Sequence, residues 1–209
     1  MSVSIYQLKS RFQDLLRPLT KELYRKNITA NQVTTFAMLI SIIIGIGLCF
    51  AHSHPLLFLI LPIWMFIRMA LNAIDGMLAR EFKQQSHFGA YLNELSDVIA
   101  DAALFLPFAF LVGVNPYLIF SIIFIATLTE FSGVLGLMVG AERRYDGPMG
   151  KSDRAFIFGL LAFLWAWGWI IIDWINIALI TILCLTIFTV LNRIRCGLEQ
   201  ARKKDIKLR

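Results

Sequence analysis

Six apolar stretches, near residues 32–51, 56–79, 89–112, 116–139, 154–172 and 175–192, are long enough to cross a bilayer, and short polar turns separate them. In hydrocarbon the backbone N–H and C=O groups find no water, so each such stretch must satisfy its own hydrogen bonds as a helix. The composition agrees. Of 209 residues, 58% are hydrophobic and 16% charged, where an ordinary soluble domain has about half and about a quarter. The expected fold is therefore an all-α membrane protein with six transmembrane helices over residues 32–192.

Upstream, residues 4–24 place Ile5, Leu8, Phe12, Leu15, Leu16, Leu19 and Leu23 at helical spacing, with Lys9, Arg11, Arg17 and Lys21 among the polar positions. This pattern predicts an amphipathic helix lying in the membrane surface. No compact apolar core precedes a small-residue cleavage site, so no cleavable signal peptide is expected. No internal repeat stands out, which counts against a transporter. One domain over 1–209 is expected, closing with a basic tail over 193–209. Cys49, Cys184 and Cys196 lack metal-ligand spacing and read as reduced packing residues.

Lys and Arg are distributed unevenly. Lys9 to Lys26 precede the first stretch, Arg80 and Lys83 follow the second, Arg143, Arg144, Lys151 and Arg154 follow the fourth, and Arg193 to Arg209 follow the sixth. The turns His52–Pro55, Gly113–Pro116 and around Asp173 contain neither residue. Positive charge collects on the cytoplasmic side, so both termini and the even-numbered connections are expected there. The same asymmetry accounts for the net charge of +6 without a nucleic-acid partner.

Arg68 is the exception, a cation well inside the second stretch. With Asn72, Asp75 and Ala79 it forms one helical stripe, and Gly89, Asn93, Asp97 and Asp101 form another on the third stretch. The short connection makes these helices antiparallel neighbours whose stripes can face one another. Arg68 and Asp101 each lie twelve residues from the connection, about 18 Å deep. They are expected to form an ion pair at the base of a cleft open to the cytoplasm. Nearer the mouth, two carboxylates and two amides make an all-oxygen set suited to a hard cation such as Mg²⁺ or Mn²⁺.

The run Asn72-Ala-Ile-Asp75-Gly76-Met-Leu-Ala79-Arg80, followed after eight residues by Gly89, Asn93 and Asp97, spans 26 positions. It resembles the signature of the CDP-alcohol phosphotransferases, D-x-x-D-G-x-x-A-R-x8-G-x3-D-x3-D, with every spacing kept. Ile28 to Thr34 is similar to the family's segment opening the first span. The resemblance implies transfer of a phosphatidyl group from CDP-diacylglycerol to an alcohol acceptor with release of CMP, in a bacterial inner membrane, by a homodimer. It implies that Asn72 and Asn93 touch both of two divalent ions, Asp75 one and Asp97 the other, and that Asp97 is the general base. Asn31, Thr34, Gly76, Ala79, Arg80, Ser86 and Gly89 fall at donor-binding positions. The chain departs from the signature at Asn72 and Asn93, where the family has acidic residues. An amide oxygen still ligates but carries no charge, and the motif's formal charge drops from −4 to −2. Weaker metal binding is expected. A relative that binds nucleotide-activated lipid without turnover, or partners another membrane enzyme, stays open as the alternative.

The fourth connection, Glu142 to Arg154, carries four cations. Arg143, Arg144, Lys151 and Arg154 are candidate acceptor-binding residues. Basic residues in this region accompany phosphorylated acceptors in the family, which favours a phosphorylated polyol, glycerol 3-phosphate first.

Overall fold

A computed structural model describes residues 5–207, with side chains placed from residue 11 to 206. Ser4, the side chains of Ile5, Leu8 and Lys9, and Leu208 and Arg209 lie outside the described residues. The described chain is all-helical: α1 Ile5–Arg25, α2 Ala30–Phe50, α3 Ile60–Glu81, α4 His87–Phe105, α5 Pro116–Met138, α6 Lys151–Ala166 and α7 Ile172–Lys207. Two 3₁₀ turns, Pro55–Leu59 and Leu106–Phe110, lead into α3 and out of α4.

Four segments are long and apolar enough to cross a membrane by themselves: α2, Pro55–Glu81, α5 and Ile172–Ile206. The other two sequence-predicted spans differ in kind. The 19-residue α4 carries Glu94, Asp97 and Asp101, and α6 has only 16 residues. Both are sheltered by their neighbours, α4 between α2 and α5 and α6 against α3. The sixth stretch does not end with its apolar residues, because α7 runs on through the basic segment to Lys207.

Aromatic packing locks the interior. Phe58, Phe105, Phe108 and Phe158 are fully buried. Phe105 stacks on Phe158 with ring centroids 3.9 Å apart, and Phe108 meets the same ring edge-on at 5.2 Å. This cluster joins α4, α6 and both 3₁₀ turns. The outside is equally apolar: Ile43, Phe50, Ile63, Phe124, Phe131 and Phe188 are all more than half exposed. A continuous greasy exterior around a packed interior is what a bilayer solvates. Where α2 crosses α4, a side chain on Gly45 would sit 2.1 Å from the Ala103 carbonyl oxygen. Only a residue without Cβ permits this approach.

Three helix ends are gathered at one end of the bundle. Thr29 caps α2 with a reciprocal box, accepting from Gln32 N at 3.3 Å while Gln32 Oε1 accepts from Thr29 N at 2.9 Å. The Ala30 amide donates to Gln84 Oε1 at 2.7 Å, which ties the start of α2 to the α3–α4 connection. Ser86 caps α4, accepting from Gly89 N at 2.9 Å. α1 leans on α3, with Arg17 paired to Glu81 and Thr20 fully buried beside Met77. The extension of α7 braces the 140–150 connection. Gln200 Oε1 accepts from Glu142 N at 3.1 Å and from Arg144 Nη1 at 2.7 Å, and Lys204 donates to Gly140 O at 2.9 Å.

Candidate functional site

The stripes on α3 and α4 face each other. Arg68 Nη1 meets Asp101 Oδ1 at 2.5 Å, and Arg68 Nη2 reaches Asp97 O at 3.1 Å and Asp97 Oδ1 at 3.4 Å. Asn72 Nδ2 donates to the same Asp97 oxygen at 3.4 Å. Asp75 is buried and stands apart from the ion pairs, its Oδ2 accepting from Thr34 Oγ1 at 2.7 Å. Thr34 thus serves the motif from α2. Asn31 lies close too: a Cβ on Gly89 would meet Asn31 Oδ1 at 2.8 Å and Ser86 Oγ at 3.0 Å. At the mouth, Arg80 is exposed, folds back over Gly76 and forms no ion pair among the described residues.

The charges continue as a relay into the bundle. Lys151 pairs with Asp97, Asp97 with Arg68, and Arg68 with Asp101. Asp101 meets Arg154 at 3.4 Å, and Arg154 meets Glu130 at 3.0 Å. Glu130 in turn sits 3.4 Å from both Arg143 and Arg193, and Arg143 closes on Glu94 at 2.5 Å. Arg68, Asp101, Glu130, Arg154 and Arg193 are all buried. Charges at this depth persist because each has a partner, and stripping one exposes the other.

The four cations of the fourth connection therefore occupy different surroundings. Lys151 faces Asp97. Arg154 is 1% exposed and belongs to the interior relay. Arg144 is held by Asp146 at 2.8 Å, a hydrogen bond that raises its guanidinium above the usual arginine range, and by Gln200. Arg143 packs 4.2 Å from the Tyr145 ring centroid while paired to Glu94. Sequence reasoning missed Glu130 and Arg193. A lone acid within the apolar run of α5 was the available signal, since an ionisable residue at that depth needs a reason to be there. Arg68→Leu and Asp101→Leu are each expected to destabilise the protein, and the double change to cost less than the two losses added, by about 0.5–3 kcal/mol. Thermal unfolding of the four proteins in one detergent measures this, and strict additivity would contradict a direct pair.

Beside the cleft lies a cavity of about 480 Å³ between α3 and α6. Arg68, Asn72, Lys151 and Ser152 line its polar part, and Pro62, Met65, Phe66, Phe156, Gly159 and Leu160 its apolar part. One cavity thus joins charged cleft residues to a greasy wall.

Among the described residues, no three His, Cys, Asp or Glu side chains are grouped closely enough to hold a metal ion. Asp75 and Asp97, with the amide oxygens of Asn72 and Asn93, provide hard oxygen donors with two negative charges. By chemistry such donors suit a hard divalent cation, and two negative charges are few for two such ions.

Fold and cleft together define an all-helical membrane protein that keeps a line of paired charges beside an apolar cavity. The profile of the CDP-alcohol phosphatidyltransferases matches residues 27–191, and the chain belongs to that family of transferases. It is 46% identical over 199 residues to the inner membrane protein YnbA of Escherichia coli (strain K12), covering 92% of this chain and 96% of that one. It is also 33% identical over 109 residues to an uncharacterized protein of Aquifex aeolicus (strain VF5), covering 52% and 51%.

Proposed function

We propose that this chain transfers a phosphatidyl group from CDP-diacylglycerol to an alcohol, releasing CMP, at a cytoplasm-facing cleft of a bacterial inner-membrane protein with six crossings and α1 lying in the membrane surface. The observation that carries this reading is the cavity that runs from Arg68, Asn72 and Lys151 onto the apolar wall of α3 and α6. A molecule with a diphosphate at one end and acyl chains at the other has this shape and polarity. The inner-membrane relative and the apolar exterior support the location. The asymmetry of Lys and Arg supports the orientation.

In this reading the acceptor hydroxyl oxygen attacks the phosphorus that bears the diacylglycerol. The bond to the bridging oxygen breaks, and CMP departs with that oxygen. The hydroxyl proton passes to Asp97, whose Oδ2 accepts no hydrogen bond among the described residues. Mg²⁺ or Mn²⁺ on Asp75, Asp97, Asn72 and Asn93 would neutralise charge on the diphosphate. Arg80, free at the mouth, pairs with a phosphate oxygen, and Asn31, Thr34, Gly76, Ala79, Ser86 and Gly89 shape the donor's polar end. Lys151 lines the cavity and is the first cation of the fourth connection that an acceptor phosphate would meet. That supports a phosphorylated polyol such as glycerol 3-phosphate, with Arg143, Arg144 and Arg154 contributing positive potential behind it.

The test is release of CMP from CDP-diacylglycerol by purified protein with Mg²⁺ or Mn²⁺ across a panel of alcohols. Release is expected with at least one acceptor, and more readily with phosphorylated polyols than with uncharged ones. Nucleotide binding with no release from any acceptor would replace this reading with that of a binding protein. The two amides and the occupation of Asp97 by Lys151 and Arg68 are what favour that second reading.

A further inference from the structure

Deepening the cation-binding part of the reading above, we propose that Lys151 is a built-in cation standing in for one of the two divalent ions, so that this cleft holds a single metal ion. Three donors converge on Asp97 Oδ1: the Lys151 ammonium, Arg68 Nη2 at 3.4 Å and Asn72 Nδ2 at 3.4 Å. A carboxylate oxygen so engaged is a poor ligand for an incoming metal ion. The other oxygen, Oδ2, has two lone pairs, one for a metal ion and one for the acceptor's proton.

The ammonium is held in place by its surroundings. Lys151 is the first residue of α6, whose N-terminus adds partial positive charge. Asp153 Oδ2 accepts from Gly150 N at 2.9 Å, Met149 N donates to Thr189 Oγ1 at 3.0 Å, and Arg154 Nη1 donates to Met149 O at 3.1 Å. The backbone just before Lys151 is therefore pinned to α6 and α7, and the side chain reaches Asp97 from a fixed base.

The charges agree with this assignment. Asn72 and Asn93 remove two negative charges from the family motif, and losing one divalent ion removes two positive ones. Two ions on Asp75 and Asp97 beside an ammonium would leave the empty cleft strongly positive. One ion with Lys151 leaves a single positive charge to meet the donor diphosphate. The amides and the lysine thus act in the same direction on the charge of one cleft, from α3, α4 and α6. Arg68 is already matched by Asp101 and does not alter the count.

Binding of Mn²⁺ alone to the full chain in lipid nanodiscs, followed by the spin-resonance signal of free Mn²⁺, tests this without turnover. Wild type is expected to bind one Mn²⁺ per chain. Lys151→Met is expected to bind a second, or to hold the first about tenfold more tightly, since a neighbouring positive charge has gone. Lys151→Arg is expected to match wild type. Lys151→Gln gives the same readout where the Met variant lacks the wild-type thermal midpoint. Two ions on wild type, no ion on either protein, or unchanged number and affinity in both neutral variants would overturn the proposal. CMP release is scored separately, so this idea can fail while the transfer reaction stands.

Discussion

Asp97→Asn is expected to lower CMP release by about 10²–10⁴-fold, the range associated with losing a positioned general base. The amide keeps the size of the carboxylate and a hydrogen-bond acceptor at the position met by Lys151, Arg68 and Asn72. It cannot take a proton from the acceptor hydroxyl. Arg68 retains Asp101 at 2.5 Å, so the base of the cleft stays paired. Lys151 is the group left short of a counter-charge, and it is only partly buried. Nucleotide binding, measured by calorimetry with CDP, should change far less than turnover. A variant that keeps half of wild-type activity would remove Asp97 from the reaction.

Glu130→Leu is expected to be the most damaging single change to the fold, at about 3–5 kcal/mol. Glu130 is buried in α5 and stands between three guanidinium groups: Arg154 at 3.0 Å, and Arg143 and Arg193 at 3.4 Å. Replacing it with an apolar side chain leaves buried Arg193 with no carboxylate, and leaves Arg154 and Arg143 with one each, Asp101 and Glu94. Glu130→Gln keeps shape and an oxygen acceptor and should cost less. Adding Arg193→Met to Glu130→Leu should recover part of the loss, because the stranded cation disappears with its partner. Unfolding by added SDS in mixed micelles gives the comparison. A Glu130→Leu midpoint close to wild type would show that the relay is not a stabilising element.

The cleft was legible in sequence because its parts are local. Arg68, Asn72 and Asp75 repeat with the helical period, Asn93, Asp97 and Asp101 do likewise, and a short connection makes their helices neighbours. Depth could be counted from the turn, and the residues opposite one another at equal depth are those the structure brings to 2.5 Å. What could not be read depends on packing between distant segments. Arg154 lies 24 residues from Glu130, and no periodicity connects them. Lys151 reaches Asp97 only because α6 packs on α3. The third apolar stretch reads as continuous to residue 112, yet α4 stops at Phe105. Pro107 has no amide hydrogen to give and its ring crowds the preceding turn, so the α-helical ladder stops and the chain passes into a 3₁₀ turn. The basic residues after 192 read as a solvated tail, although Ile194, Leu198 and Ile206 continue at near-helical intervals and α7 extends through them.

That extension has a consequence for how the protein is made. Gln200 and Lys204 hold residues 140–144, which precede their partners by 56 to 64 positions along the chain. During synthesis the segment leading to Lys151 reaches the membrane long before its clamp has left the ribosome. The side of the cleft built from α2, α3 and α4 can be in place early. The side that leads to Lys151 stays unfastened at residues 140–144 until the end of α7 has docked, so the cleft is completed only with the final helix.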